Sequence, residues 1–290
     1  MTASVAVLEV GGTHVSGARV DTGDWSVGPG PVRRRLDSDA DAETILATVA
    51  AAGAIEAAAG ARWAVAMPDP FDYERGIGRF HGVGKFESLN GVDVRRELMT
   101  RLANRPGHIA FCNDADAFAL GEWVCGAAAG TERCVGVTLG TGVGSGWIAG
   151  GAIATDDVAG VPPGGRAHRL SVRGESLEDV MSARSIRRRY TARTGDAATD
   201  VRGIAERARA GDTAAREVLA FALRGLGEAL DPGLAAFGAQ VIVVGGSMAA
   251  SWDLFEDWFR EGAPSATVIR HSRDGEISAL RGAAYATGLQ

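Results

Sequence analysis

The chain is poor in several features that would announce a function at once. Cysteine occurs three times in 290 residues, at Cys112, Cys125 and Cys134, with neither CxxC nor zinc-ligand spacing. That excludes a disulfide framework and leaves reduced thiols in a cytoplasmic protein as the expectation. No apolar run reaches the roughly 18 residues of a membrane span without an interrupting Gly, Asp or Arg, so no membrane partner is expected. Residues 1–4 are too few for a secretory leader. A net charge of −6 gives no field to draw nucleic acid. Arg184, Arg187, Arg188, Arg189 and Arg193 form a local basic cluster, and it reads as a solvated helix face. The Gly-Lys-Ser/Thr of a Walker A loop is missing, and no glycine cluster opens a helix as a Rossmann fingerprint requires.

What the chain does have is one glycine-threonine pattern used twice. Val5–Val10 meets Gly11-Gly12-Thr13-His14 and resumes as Val15–Val20; Val135–Leu139 meets Gly140-Thr141-Gly142-Val143-Gly144 and resumes as Ser145–Ala149. Each reads as a hairpin between two strands. Glycine admits positive φ and carries no Cβ, so successive N–H groups can face an anion, with threonine adding a hydroxyl. Two phosphate-sized loops predict one shared ligand.

Around them the pattern alternates strands and helices, which places the chain in the α/β class. Helices are expected over Ala40–Ala59, Val92–Ala103, Ala115–Ala127, Ser176–Thr194, Asp200–Ala210, Thr213–Asp231, Trp252–Glu261 and Ala279–Gly288. Further strands are expected at Trp63–Ala66, His108–Cys112, Val241–Val244 and Thr267–Arg270. Thr155–Gly174, rich in Gly, Pro, Asp and Arg, reads as loop. The length suits two lobes with a cleft between them.

The strand at His108–Cys112 delivers Asn113 and Asp114 to its carboxyl end. Phosphoryl transfer to an alcohol needs a carboxylate within reach of the attacking hydroxyl, to orient it and take its proton. Asp114 fits that role, and Asn113 can offer a donor and an acceptor to neighbouring hydroxyls. An Asn-Asp pair at such a boundary is equally suited to cap the helix that follows.

Together these segments resemble the ROK family of sugar kinases. Leu8–Thr13 looks like the family's Asp-x-Gly-Gly-Thr, Met67–Asp72 is similar to its Pro-Gly-Pro-Val-Asp turn, and Cys112–Glu122 matches Asn-Asp-Ala-Asn-x-x-Ala-x-Gly-Glu. Leu139–Gly144 matches the second phosphate motif, and Val241–Ser247 matches the adenosine-side Gly-Gly turn. The resemblance implies two α/β lobes of the actin-like ATPase (ribonuclease H-like) fold with an interlobe cleft. The smaller lobe would comprise residues 1–113 plus 278–290 and the larger 114–277. It implies ATP bound through Glu9, Gly11, Gly12, Thr13, His14, Gly140, Thr141, Gly142, Gly144, Gly245, Gly246 and Ser247. Mg²⁺ is held through the nucleotide phosphates, with Glu9 and Asp114 contributing through water. Asp114 is the catalytic base, and a homodimer formed through the larger lobe is implied.

The sugar shell implied by the same resemblance comprises Asn113, Asp114, His168 and Glu178, with Gly165 and Arg166 beside them. Here the chain departs from the family: Gly165 stands where a glutamate is usual, Glu9 where an aspartate is usual, and Leu170–Glu175 lacks the three zinc-binding cysteines, so no structural zinc is expected. Glucose is the default substrate. An amino sugar (glucosamine, kanosamine or N-acetylmannosamine) or a cyclitol is the alternative acceptor, polyphosphate the alternative donor, and a catalytically weak sugar sensor the alternative class. A sugar-responsive repressor is not expected, because only six residues precede Val7.

Overall fold

The computed structural model describes residues 4–265 and 268–288. Thr267, the expected start of the last strand, lies outside them. In chain order the principal elements are β1 (Ser4–Val10), β2 (His14–Asp21), β3 (Val32–Arg35), α1 (Ala42–Ala52), β4 (Arg62–Met67), α2 (Val94–Arg101), β5 (His108–Asn113) and α3 (Asp114–Cys125). They continue with β6 (Arg133–Leu139), β7 (Val143–Ala149), β8 (Ala152–Ile153), α4 (Leu177–Met181), α5 (Ala183–Thr194), α6 (Val201–Arg209) and α7 (Thr213–Phe237). The last are β9 (Val241–Gly245), α8 (Trp252–Gly262), β10 (Val268–His271) and α9 (Gly275–Ala286). Among the described residues no helix is long and apolar enough to cross a membrane.

Aspartate and serine caps set most helix starts. Asp41 accepts from Thr44 N at 2.9 Å, Asp93 from Arg96 N at 2.9 Å, Asp200 from Gly203 N at 2.8 Å and Asp212 from Ala215 N at 2.8 Å, each occupying a donor the helix leaves unpaired. Three helices differ from the periodicity reading: α1, expected to reach Ala59, ends at Ala52, where Gly53 caps it. The span expected as one helix over Ser176–Thr194 breaks at Ser182, which is extended (ψ 150°) and caps α5 through Ser185 N. Conversely, α7 runs past its expected end at Asp231, through Pro232, to a left-handed Gly238. Proline removes one helical hydrogen bond, but Leu230, Leu234 and Phe237 are all buried on the core side, and their burial offsets that loss.

The chain forms two compact units. One comprises residues up to Cys125 together with those from Asp274; the other is Gly126–Arg273. The expected division differs by α3 and the first residues of α9. In the first unit the sheet order is β3-β2-β1-β4-β5, with β1 and β2 antiparallel and β4 and β5 parallel to β1. In the second it is β8-β7-β6-β9-β10, with β6 and β7 antiparallel and β9 and β10 parallel to β6. The same five-strand order in both units is the related topology that the repeated hairpin predicts.

Each unit has its own core. In the first, Leu8, Val65, Ile109 and Phe111 pack with Ile45, Val49 and Leu98; in the second, Val137, Trp147 and Val244 pack with Leu223, Leu226 and Phe255. In the first unit α3 and α9 meet backbone to backbone. A Cβ on Gly121 would stand 1.8 Å from Ser278 O, one on Gly282 1.7 Å from Ala117 O, and Ser278 Oγ donates to the buried Glu122 at 2.8 Å. Only glycine permits that approach, which fixes the helix carrying Asp114 at its first position.

Candidate functional site

The first glycine hairpin joins β1 to β2. Gly11 N donates to His14 O at 2.9 Å, closing the turn, and Thr13 Oγ1 lies 3.3 Å from His14 Nδ1. Neither Gly11 nor Gly12 adopts positive φ, nor do Gly140, Gly142 and Gly144 in the second hairpin. A Cβ on Gly11 would meet nothing nearer than His14 O at 3.4 Å, whereas one on Gly142 would stand 2.8 Å from Glu178 Oε1.

Beneath the first hairpin lies Glu9. Its carboxyl group is pushed up to about 8 by burial first, then by Asp114 and Glu276, with Arg33 opposing. Oε2 is buried without a hydrogen-bond partner, and His14 Nε2 stands 3.8 Å from it. His14 is held below its usual range, by burial first and then by Arg33. Glu276 accepts from the buried Ser16 hydroxyl and pairs with Arg33 at 3.3 Å. Among the described residues no group of three or more His, Cys, Asp or Glu could hold a metal. Magnesium, however, uses one or two carboxylates together with water and substrate phosphates. An orphaned, repelled carboxylate at Glu9 with Asp114 in its field fits that demand.

At the end of β5, Asn113 Oδ1 accepts from Ala115 N at 3.0 Å and Asp116 N at 3.1 Å, capping α3. The acceptor expected to meet a sugar is therefore spent on the helix. Its Nδ2 faces three oxygens: Tyr73 Oη at 3.1 Å, Asp114 Oδ1 at 3.1 Å and Asp69 Oδ2 at 3.3 Å. Asp114 Oδ1 also accepts from Ala115 N at 2.9 Å. Tyr73 donates to Asp69 Oδ1 at 2.8 Å, and its hydroxyl is held well above the usual phenol range by burial and the nearby Asp69 and Asp114 charges. Asn113 is thus a hub that aligns two carboxylates. Asp69, Tyr73 and Glu276 carried no assignment from sequence. Asp69 sits inside the Pro-rich turn, where the family pattern has glycine, and that was its one available signal.

In the second unit, the hairpin between β6 and β7 lies against Glu178 at the start of α4. Glu178 Oε2 accepts from Val143 N at 3.0 Å, and Gly140 N bonds Gly142 O at 3.0 Å. The Gly245-Gly246-Ser247 turn after β9 closes on the same hairpin. Gly246 has φ +87°, a Cβ there would stand 2.4 Å from Leu139 O, and one on Gly140 would lie 3.6 Å from Ser247 Oγ. Two motifs a hundred residues apart in sequence so form one surface.

Ser145 of β7 holds the histidine segment: its hydroxyl donates to Gly165 O at 2.7 Å and accepts from Ala167 N at 2.8 Å. Arg166 and His168 are half-buried within that segment. Gly165 has φ +75°, a conformation that glutamate would adopt only under strain. Leu177 N donates to Leu170 O at 2.8 Å, which ties the segment to the helix of Glu178. Where the family carries its cysteines, Ser171–Val172 and Glu175–Ser176 pair as a hairpin turned by Arg173 (φ 54°) and Gly174 (φ 79°), the geometry of a tight two-residue turn. Arg173 fastens that hairpin to α7 through Glu228 at 2.8 Å and stacks on Phe221 at 4.8 Å.

Two units of one topology, each with a glycine hairpin, and a capped Asn-Asp pair define a phosphotransferase of the actin-like ATPase fold with a hydroxyl acceptor. The ROK family model matches residues 6–287, and the chain belongs to the ROK family of sugar kinases. The glucokinase of Thermotoga maritima is 29% identical over 219 residues, 68% of this chain and 67% of that protein. The ROK hexokinase of Thermus thermophilus is 25% identical, covering 97% of each chain with a TM-score of 0.73. A ROK glucokinase from Streptomyces griseus, solved with glucose and AMPPNP, has the same fold at 21% identity, with a TM-score of 0.75 over 97% of this chain and 98% of that one.

Proposed function

We propose that the chain transfers the γ-phosphoryl group of ATP to the primary hydroxyl of a hexose, with glucose as the reference substrate. The observation that carries this reading is Asp114 at the first position of α3, its Oδ1 fixed by Ala115 N and Asn113 Nδ2 at 2.9 and 3.1 Å. A carboxylate oriented by its own backbone and an amide is placed to accept the hydroxyl proton as the oxygen attacks phosphorus. Gly12, Thr13, Thr141 and Gly142 supply N–H groups to the phosphates, and His168, Glu178 and Arg166 contact the sugar. Mg²⁺ would be held by the phosphates with Glu9 and Asp114, neutralising the charge on the transferred group.

A second acceptor is favoured by one observation. Asp69 lies 3.3 Å from Asn113 Nδ2, beside Asp114, while φ +75° at Gly165 disfavours a carboxylate on the histidine segment. The carboxylate of Asp69 beside that of Asp114 suits a sugar bearing an ammonium group. The test is a coupled ADP-release assay over glucose, mannose, glucosamine, kanosamine, N-acetylmannosamine and a cyclitol. Turnover on glucose supports the first acceptor, a higher kcat/KM for an amino sugar supports the second, and no ADP release with any of them contradicts both. A homodimer formed through the Gly126–Arg273 unit belongs to the same reading, and sedimentation equilibrium tests it.

A further inference from the structure

The basic run on α5 is not the uniform solvated face that its sequence suggests. Arg189 lies over the ring of Phe221 on α7, with Cζ 4.4 Å from the ring centre, and Arg173 from the turn of the Ser171–Ser176 hairpin lies 4.8 Å from the same centre. Each guanidinium also meets a carboxylate. Arg189 pairs with Glu175 of the hairpin at 2.5 Å, and Arg173 forks onto Glu228 of α7 at 2.8 and 2.5 Å. The hairpin therefore gives one arginine to α7 and receives another from α5, and the two meet on one aromatic ring. Phe221 packs on the core of this unit yet is only half-buried, which leaves ring surface for the cations. Arg189 Nε is buried without a hydrogen-bond partner, so its guanidinium is held by the ring and by Glu175 rather than by a full set of hydrogen bonds.

What this clamp holds is the stretch between two residues read above as sugar contacts. The hairpin pairs Ser171 with Ser176 and Val172 with Glu175, and Leu177 N donating to Leu170 O at 2.8 Å adds the next rung. That rung is adjacent to Glu178 in sequence and lies two residues past His168. Ser145 holds Gly165 and Ala167 separately, at 2.7 and 2.8 Å, so the turn before His168 keeps its own anchor when the clamp is opened. A short hydrogen-bonded ladder moves as one body, and a shift of its seat on α5 and α7 is carried to both ends. Binding side chains reach their working geometry only when such a support locks them. We propose that Phe221, with Arg173 and Arg189, is the positioning group for His168 and Glu178, and that affinity for the acceptor sugar depends on this cation–π clamp. The proposal rests on the reading of His168 and Glu178 as sugar contacts. The reacting hydroxyl is assigned to Asp114, so His168 and Glu178 bind ground state and transition state alike. Their loosening therefore falls on KM rather than on kcat.

The experiment compares the full-length wild type with four variants. Phe221→Leu keeps apolar packing and removes the ring, Phe221→Tyr keeps the ring, and Arg189→Gln removes one cation. Arg193→Gln is the control, on the same helix but paired with Glu217. Steady-state kinetics and calorimetric affinity are measured with the best sugar of the panel, hydrogen exchange is followed over residues 166–178, and thermal unfolding checks folding. Phe221→Leu is expected to raise sugar KM and Kd about tenfold, and Arg189→Gln about threefold, as stacking is lost. Exchange over 166–178 should quicken in both, with kcat and the KM for ATP within about twofold of wild type. Phe221→Tyr and Arg193→Gln should match wild type. Unchanged sugar affinity in Phe221→Leu, a fall confined to kcat, a loss in Phe221→Tyr equal to that in Phe221→Leu, or an equal effect of Arg193→Gln each overturns the proposal. ADP release by wild type judges the kinase reading separately: an active enzyme whose sugar KM and exchange ignore Phe221→Leu loses only the clamp. A chain that binds sugar without turnover, and whose affinity still falls in Phe221→Leu, loses only the kinase reading.

Discussion

Glu178 Oε2 accepts the backbone N–H of Val143 at 3.0 Å, and Oε1 lies 2.8 Å from the point where a Cβ on Gly142 would stand. A residue that the family resemblance assigns to the sugar is thus seated on the loop assigned to the phosphates. The contact is with the far end of a flexible side chain, so Gly142→Ala displaces the carboxylate more cheaply than it displaces backbone. We expect stability within about 0.5 kcal/mol of wild type, as for substitutions away from core and caps, together with a raised sugar KM. Denaturant titration and steady-state kinetics check the two halves; unchanged KM would detach Glu178 from the sugar.

A second prediction concerns pH. The Glu9 carboxyl holds its proton to about 8 in the folded chain against an ordinary 4.5. Between those values the native state binds a proton that the unfolded state has released, so this group's contribution is full below the lower value and is lost as pH rises through the upper one. Stability should therefore decline across that window in wild type, and Glu9→Gln should flatten the decline. Unfolding midpoints measured across the window check it; parallel profiles would refute the assignment.

The α3–α9 contact makes a third prediction. Gly121→Ala places a methyl 1.8 Å from the Ser278 carbonyl oxygen, with backbone on both sides, and should cost about 1–3 kcal/mol or more through overpacking. Chemical denaturation measures it. Because α3 carries Asp114, turnover of the folded fraction should fall as well. Wild-type stability in Gly121→Ala would show that the two helices can separate freely.

These three cases show what was legible in the chain and what was not. Hairpins at Gly11-Gly12 and Gly140–Gly144 were readable because strand periodicity brackets them. So was the Asn113-Asp114 boundary, where the helix-cap reading and the catalytic reading both hold for the same residues. Gly121 and Glu122 were legible as part of a motif, but their work is packing against Ser278, which only the position of α9 discloses. Asp69 and Glu276 reach Asn113 and Ser16 through the fold, and Tyr73, although four residues from Asp69, reaches Asn113 only through the fold; beyond the replaced glycine at Asp69, local spacing marked none of them. The continuation of α7 through Pro232 was hidden for a similar reason: Leu234 and Phe237 gain their burial from tertiary partners. At Leu170–Glu175 the missing cysteines were plain, whereas the hairpin held by Arg173 to Glu228 and Phe221 was not.

The central claim is that Asp114 takes the proton of the acceptor hydroxyl. Asp114→Asn preserves the side-chain shape and the hydrogen bond accepted by Oδ1 from Ala115 N, but removes the base. The decisive measurement is kcat for ADP release by this variant with the best sugar of the panel, beside calorimetric affinities for that sugar and for ATP. The account predicts a fall in kcat of about 10²–10⁴-fold, the usual worth of a positioned general base, with both affinities close to wild type. Turnover near the wild-type rate would contradict it.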